Sequence, residues 1–128
     1  MIAIGIGANS RAHKDDFVTA LSGGLKEAGS ADAVATFHAA NFASSVEDAA
    51  RLLSVRYCPV TLAAMRERSG DCVTGSARTL SLFGVASIAE AAALAAAGSG
   101  SHLIMPRRIV GNFTIAAAQS RDERGTDQ

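Results

Sequence analysis

Aromatic side chains are scarce in this chain: tryptophan is absent, tyrosine occurs once, and aromatics make up 5% of 128 residues. Alanine and aliphatic residues must therefore build the core, drawn from a hydrophobic share of 48%. Net charge is also missing, because twelve basic residues balance twelve acidic ones. Without a basic excess to neutralise phosphates, nucleic acid is not expected as a partner. No apolar run reaches the roughly 20 residues that span a bilayer, and no basic stretch precedes the apolar start as in a signal peptide. A membrane partner is not expected either. Cys58 and Cys72 lack C-x-x-C spacing and are too few for a disulfide scaffold, which implies a reduced, cytoplasmic setting. His13, His38 and His102 share no ligand spacing, so no metal is expected, and no cofactor is implied. No serine lies in a G-x-S-x-G elbow.

What is present is most specific between Gly84 and Ala116. Ser87 and Glu90 stand three apart ahead of an apolar run, the spacing of a capping box, and Gly98 ends the helix they open. Ile88, Ala91, Ala92, Leu94, Ala95 and Ala96 leave that helix almost no polar face, so it is expected to be buried. His102 to Met105 then reads as a buried strand halted by Pro106, with Arg107 and Arg108 at its end. Gly111-Asn112 turns the chain into a further strand, Phe113 to Ala118.

Upstream, strands and helices alternate. Ile2 to Ile6 reads as a strand, left through the loop Gly5-Ile6-Gly7 and Ala8-Asn9-Ser10. Asp15 or Asp16 caps a helix through Phe17, Val18, Leu21 and Leu25 to Ala28-Gly29. Its Gly23-Gly24 pair costs about 1 kcal/mol per glycine relative to alanine and weakens the case for one continuous helix. Ala33 to Phe37 is the second strand. Ser44 and Glu47 repeat the capping-box spacing for a helix through Ala49, Ala50, Leu52 and Leu53. Val55 to Cys58 reads as a short strand ending at Pro59, and Thr61 caps a helix through Met65 closed by Ser69-Gly70. Arg78 to Leu82 adds a helical turn. This order predicts an α/β fold: a three-layer sandwich with a largely parallel central sheet, in a single domain over residues 1–119. Residues 120–128 are polar and are expected to form a disordered tail.

In such sheets, functional groups gather at the carboxyl ends of strands. Three segments should converge there: Gly7 to Arg11, His38 to Asn41, and Pro106 to Arg108. The candidate ligand-binding residues are Gly7, Asn9, Ser10, Arg11, His38, Arg107 and Arg108, a set suited to an anion that arginine grips bidentately. Other readings stay open at this point. Gly5-x-Gly7 fits a tight strand-to-loop turn needing close backbone approach, a carboxylate site, or half of a dinucleotide fingerprint whose third glycine position holds Ser10. The paired arginines also fit a solvated strand end. Cys58 reads as a small buried hydrophobe, and Cys72 lies near Arg68 and Arg78, cations that would lower its pKa. Glu90 is better explained as a cap than as a base.

The motif between Gly84 and Ala116 resembles the CobE proteins and CbiG C-terminal domains of cobalamin biosynthesis. That family carries a Gly-Val-x-Ser-Val-x-Glu-Ala-x-Ala-Leu helix, a strand ending in proline and two basic residues, then Thr-(Val/Ile)-Ala. The matching residues here are Gly84, Val85, Ser87, Ile88, Glu90, Ala91, Ala93 and Leu94, then Pro106, Arg107, Arg108, Thr114, Ile115 and Ala116. The opening strand running into Gly5-Ile6-Gly7 also matches, and the resemblance spans Met1 to about Gln119. It implies that the chain binds or acts on a precorrin-type tetrapyrrole, whose ring of acetate and propionate arms suits multiple arginines. It also implies other cobalamin-pathway enzymes as partners. CbiG itself resembles a lactone hydrolase with additional N-terminal domains. Where the family loop commonly holds a cysteine and paired arginines, this chain has Ala8, Asn9 and Ser10 before a single Arg11. The resemblance leaves three readings: a binding or delivery module, a cobalt-precorrin lactone hydrolase, and a nucleotide-binding regulatory domain.

Overall fold

A computed structural model describes residues 1–121. The expected tail therefore lies, from Asp122 onward, outside the described residues. The chain runs β1 (Ile2–Ala8), α1 (Asp16–Ala28), β2 (Ala33–Phe37), α2 (Ala43–Leu52), β3 (Arg56–Val60) and α3 (Leu62–Glu67). After a single 3-10 turn at Ser69–Asp71 come α4 (Ala77–Phe83), α5 (Ile88–Ala97), β4 (His102–Val110) and β5 (Phe113–Gln119). The strands form one sheet in the order β3-β2-β1-β5-β4. β1, β2 and β3 pair in parallel, whereas β5 is antiparallel to both β1 and β4. The sheet is thus mixed: β1 to β4 share a direction and β5 alone opposes it.

Alternation along β1 separates two cores. Ile4 and Ile6 face α1 and α2, packing with Phe17, Leu21, Val46 and Ala50. Ala3 faces the other way, toward Ala93 and Leu94 of α5, and Ala35 of β2 meets Ala91, Ala92 and Met65 on that side. The result is three layers, helix, sheet and helix. The alanine content anticipated for the core is concentrated on the α5 side, where it lets backbones approach closely. A Cβ on Gly5 would collide with the carbonyl oxygen of Ala89 and stand 2.8 Å from the Ala93 nitrogen. One of Gly7 would stand 2.8 Å from Thr114 Oγ1. Gly5 and Gly7 therefore lie within β1, not in the loop after it. Close backbone approach is indeed the reason for Gly5, but the approaching backbone belongs to a helix.

Several boundaries differ from the sequence expectation. The helix α1 is continuous through Gly23-Gly24, because Gly24 is buried with the Ile115 side chain 3.0 Å from where its Cβ would be. Asp15 precedes α1 without making a side-chain cap. The Ser44–Glu47 capping box does not form: α2 begins at Ala43, leaving Ser44 inside it, and Glu47 pairs with Arg51 instead at 3.8 Å. Thr61 does cap α3 through its hydroxyl, which accepts from Ala64 N–H at 3.1 Å. Neither proline stops its strand. Pro59 lies in β3 and Pro106 in β4, the two outermost strands. There a missing N–H is tolerated, and proline discourages pairing with another chain.

The helix α5 is buried as expected, with Ala89 to Leu94 almost fully shielded. Ser87 Oγ accepts from Glu90 N–H at 3.2 Å, the first half of the capping box, and Gly98 ends the helix at φ 96°. The return half is absent, since the Glu90 carboxylate points elsewhere. At the other end, the Arg68 guanidinium donates to the carbonyls of Leu94 and Gly98, at 3.1 and 2.9 Å, and to Ser101. A cation on the last carbonyls complements the helix dipole. Replacing Ser87 with alanine should lower stability by about 0.5–2 kcal/mol, the usual effect of losing an N-cap. Urea denaturation measures this, and no change would show that the cap is dispensable. No single helix among the described residues is long and apolar enough to cross a membrane. The pair α4 and α5, bent by 60°, meets length and composition together, but α5 is buried within the protein.

Candidate functional site

The shared direction of β1, β2 and β4 brings their carboxyl ends to one edge of the sheet. There Asn9 donates its backbone N–H to the Asn112 carbonyl at 3.0 Å, and its side-chain amide to Asn112 Oδ1 at 3.2 Å. Asn9 Oδ1 accepts from Arg11 N–H at 2.9 Å. These bonds latch the β1 loop onto the β4–β5 hairpin, whose turn is made possible by Gly111 at φ 60°. Asn9 is thus occupied structurally, with its outer edge on the neighbouring cavity.

That cavity has a volume of about 730 Å³ and lies between the β1 loop, the β2–α2 loop, α4, the start of α5 and the hairpin. Its size falls in the range of small-molecule sites, about 300–1,000 Å³. Phe37, Phe42, Phe83 and Phe113 line it. The fifth phenylalanine, Phe17, stands behind them, stacked on Phe42 at 5.7 Å and edge-on to Phe113 at 4.8 Å. Phe37 and Phe83 meet edge-to-face at 6.1 Å. All five phenylalanines of the chain therefore gather around one opening. Their scattered positions in the sequence carried no such signal.

The candidate residues divide. Gly7, Asn9, Ser10 and Arg107 line the cavity. Arg107 is half-buried and is the only charged side chain among the described lining residues. Its guanidinium makes no hydrogen bond or ion pair among the described residues. Arg108, the next residue, points to the opposite face and pairs with Glu27 of α1 at 2.7 Å. It borders a separate cavity of about 350 Å³ against α1. The two arginines are parted because they sit inside β4, where successive side chains alternate faces; at a strand end, as expected from Pro106, they could have converged. Arg11 and His38 are exposed and outside the cavity lining. His38 rests edge-on against Phe37 at 5.3 Å, and its backbone N–H donates to the Val60 carbonyl.

Two groups near the site behave otherwise than the sequence suggested. Burial, aided by the Glu90 carboxylate, pushes the Cys72 thiol up to about 11, and the neighbouring Arg68 does not reverse this. The thiol lies within donating distance of the Arg68 and Ser87 carbonyls, at 3.8 and 3.9 Å. It is a poor nucleophile. Glu90 is fully buried and is more than a cap. Its Oε1 accepts from Val73 and Thr74 N–H at 2.9 and 3.0 Å, and its Oε2 from Thr74 Oγ1 and Arg107 N–H at 2.8 Å each. The cavity lining, among the described residues, holds no carboxylate, histidine or cysteine. Aromatic faces, hydroxyls and one arginine equip it to bind and orient a ligand. No group of three or more His, Cys, Asp or Glu suited to a metal ion occurs among the described residues.

The family model described as cobalamin synthesis G C-terminus matches residues 2–118. The chain belongs to the CobE/CbiG family of cobalamin-biosynthesis proteins. Within that family, a crystal structure of CobE, a protein from the cobalamin (vitamin B12) biosynthetic pathway, is 26% identical with TM-score 0.81. That match covers 94% of this chain and 91% of CobE. The cobalamin biosynthesis protein chiG from Agrobacterium tumefaciens is 28% identical with TM-score 0.70, over 95% of this chain and 100% of that one. A cobalamin biosynthesis protein G homolog from Sulfolobus solfataricus shares the fold, at 24% identity and TM-score 0.60. It covers 91% of this chain and 36% of the Sulfolobus chain, so in that protein the fold is part of a longer polypeptide. Comparison with curated proteins returned no match. The CobE/CbiG helix motif from Gly84 to Leu94 corresponds here to the start of α5 and the buried Glu90, and Pro106-Arg107 to the strand that Glu90 grips.

Proposed function

We propose that this CobE/CbiG-family protein binds a precorrin-type tetrapyrrole in the phenylalanine-lined cavity and delivers it to other enzymes of the cobalamin pathway, in the cytoplasm. The observation that carries this reading is the convergence of every phenylalanine in an aromatic-poor chain beside Arg107, whose guanidinium has no partner among the described residues. A tetrapyrrole is a broad apolar ring fringed with carboxylates. The ring faces pack against Phe37, Phe83 and Ile109, apolar contacts contributing about 25 cal/mol per Å² of surface removed from water. Arg107 grips one carboxylate arm through charge-assisted hydrogen bonds. The cavity opens to solvent, so the remaining arms stay hydrated and need no partners. The lack of an acid, histidine or cysteine in the described lining supports binding over lactone hydrolysis, and the incomplete glycine fingerprint gives no support to a nucleotide.

An absorbance titration of the purified protein tests this. The probe is dicyanocobyrinic acid, a stable corrin whose arms are free carboxylates. Saturable binding with a shifted corrin spectrum is expected, weakening as salt is added because exposed charge pairs are screened. Adenine nucleotides should not displace it. Absence of binding, or displacement by ATP, would overturn the reading.

A further inference from the structure

A carboxylate fully shielded from solvent is costly unless its oxygens are hydrogen-bonded. Glu90 is the only charged residue in α5, a helix otherwise built of alanine, leucine and isoleucine. Capping needs only its backbone N–H, which Ser87 already holds. The four donors that satisfy the carboxylate come from two segments outside its own helix. One is Val73–Thr74, in the loop that leads into α4 and so into the cavity wall carrying Thr79 and Phe83. The other is the backbone of Arg107 on the opposite wall.

The strand around Arg107 is irregular. Its pairing with β5 shifts register between Leu103 and Met105 and again between Met105 and Arg108. Pro106 has no N–H to offer, and Arg107 has no partner in the β5 register. Its N–H goes to Glu90 in place of the ladder. Irregularities of this kind re-aim a side chain, and this one falls at the residue whose N–H the Glu90 carboxylate holds.

We propose that Glu90 is a positioning residue of the binding cavity, fixing Arg107 and the α4 wall on either side so that a carboxylate-bearing ring is held between them. The proposal rests on the tetrapyrrole reading for the identity of the ligand, but not for the role of Glu90 toward Arg107. Glutamine keeps one acceptor oxygen and places an NH2 donor at the other position. The Val73 and Thr74 N–H groups face Oε1 as two fixed donors, whereas the Thr74 hydroxyl at Oε2 can turn to accept. The amide oxygen therefore takes the Oε1 side, and Glu90→Gln frees the Arg107 N–H.

Two probes distinguish positioning from general support: dicyanocobyrinic acid and dicyanocobinamide, whose arms are amidated. Glu90→Gln should weaken the first by roughly tenfold, as for one charge-assisted hydrogen bond, and the second by less than about twofold. In an Arg107→Ala background the same substitution should cost no further affinity, because its effect passes through the arginine. In the unliganded protein, amide hydrogen exchange at Arg107 should accelerate. Should Glu90→Gln fail to fold, Thr74→Val removes one donor from Oε2 and should show the same selectivity at roughly threefold. Equal losses for both corrinoids, additivity with Arg107→Ala, or unchanged exchange at Arg107 would each overturn the proposal. A wild-type protein that binds neither corrinoid would remove the tetrapyrrole reading alone, since exchange at Arg107 still decides the role of Glu90.

Discussion

Replacing Gly5 with alanine is expected to cost at least about 3 kcal/mol of stability, the upper end of ordinary overpacking. The added Cβ would meet the carbonyl of Ala89 and the nitrogen of Ala93, and both are backbone atoms of α5. A side chain can rotate away from such a clash, but a buried helix must move as a unit. Lifting α5 from β1 would open the alanine contacts with Ala3, Ala33 and Ala118 along its length. A loss of that size is a large part of the roughly 5–15 kcal/mol that holds a domain folded, and should lower the melting temperature by more than about 10 °C. Gly23→Ala is the matched control. Gly23 lies in α1 with nothing within 4 Å of its would-be Cβ, so alanine there should stabilise by about 0.5–1 kcal/mol. Thermal denaturation of the two variants should therefore move in opposite directions. A Gly5→Ala protein as stable as wild type would mean that α5 does not rest on the strand as described.

Arg107→Ala is expected to weaken binding of dicyanocobyrinic acid by roughly 10- to 100-fold, the equivalent of losing about 1.5–3 kcal/mol of charge-assisted hydrogen bonding. Arg108→Ala should leave that affinity nearly unchanged. The neighbouring arginine faces α1, where it loses only an exposed pair with Glu27 worth about 0–1 kcal/mol. The substitution at Arg107 keeps the backbone N–H that Glu90 holds, so folding should be preserved. The salt dependence of binding should flatten in Arg107→Ala and persist in Arg108→Ala, because screening acts on the charge pair that remains. Equal losses in the two variants, measured by absorbance titration at two salt concentrations, would show that the ligand straddles the edge strand and would overturn the cavity as its site.

The paired arginines show where sequence reading reached and where it stopped. Their proximity in the chain and to Pro106 was legible, and it marked the edge of the sheet where the phenylalanine-lined cavity opens. Whether they act together turned on the extent of β4. Proline halts a central strand but is tolerated in an outermost one, and the position of β4 in the sheet is not written locally. The same reason explains Pro59 and the longer β3. Asn9 and Ser10 were placed beside the cavity because a loop leaving a strand stays at that strand's end. Arg11 and His38 share those loops yet are exposed and are not part of the lining.

By itself, the sequence determined what short-range physics controls. The caps at Thr61 and Ser87, the glycine end at Gly98, the apolar period of each helix and the alternation of strand and helix all depend on neighbours within a few residues. Together these sufficed for a three-layer α/β fold. The tertiary structure alone decided what depends on residues far apart in the chain. It brought five phenylalanines to one opening, set α5 directly on Gly5, reversed β5 against the other strands, and turned Arg107 and Arg108 to opposite faces. It also sent the Glu90 carboxylate away from its own helix end, because a buried charge goes where donors are, and those donors lie sixteen and seventeen residues distant.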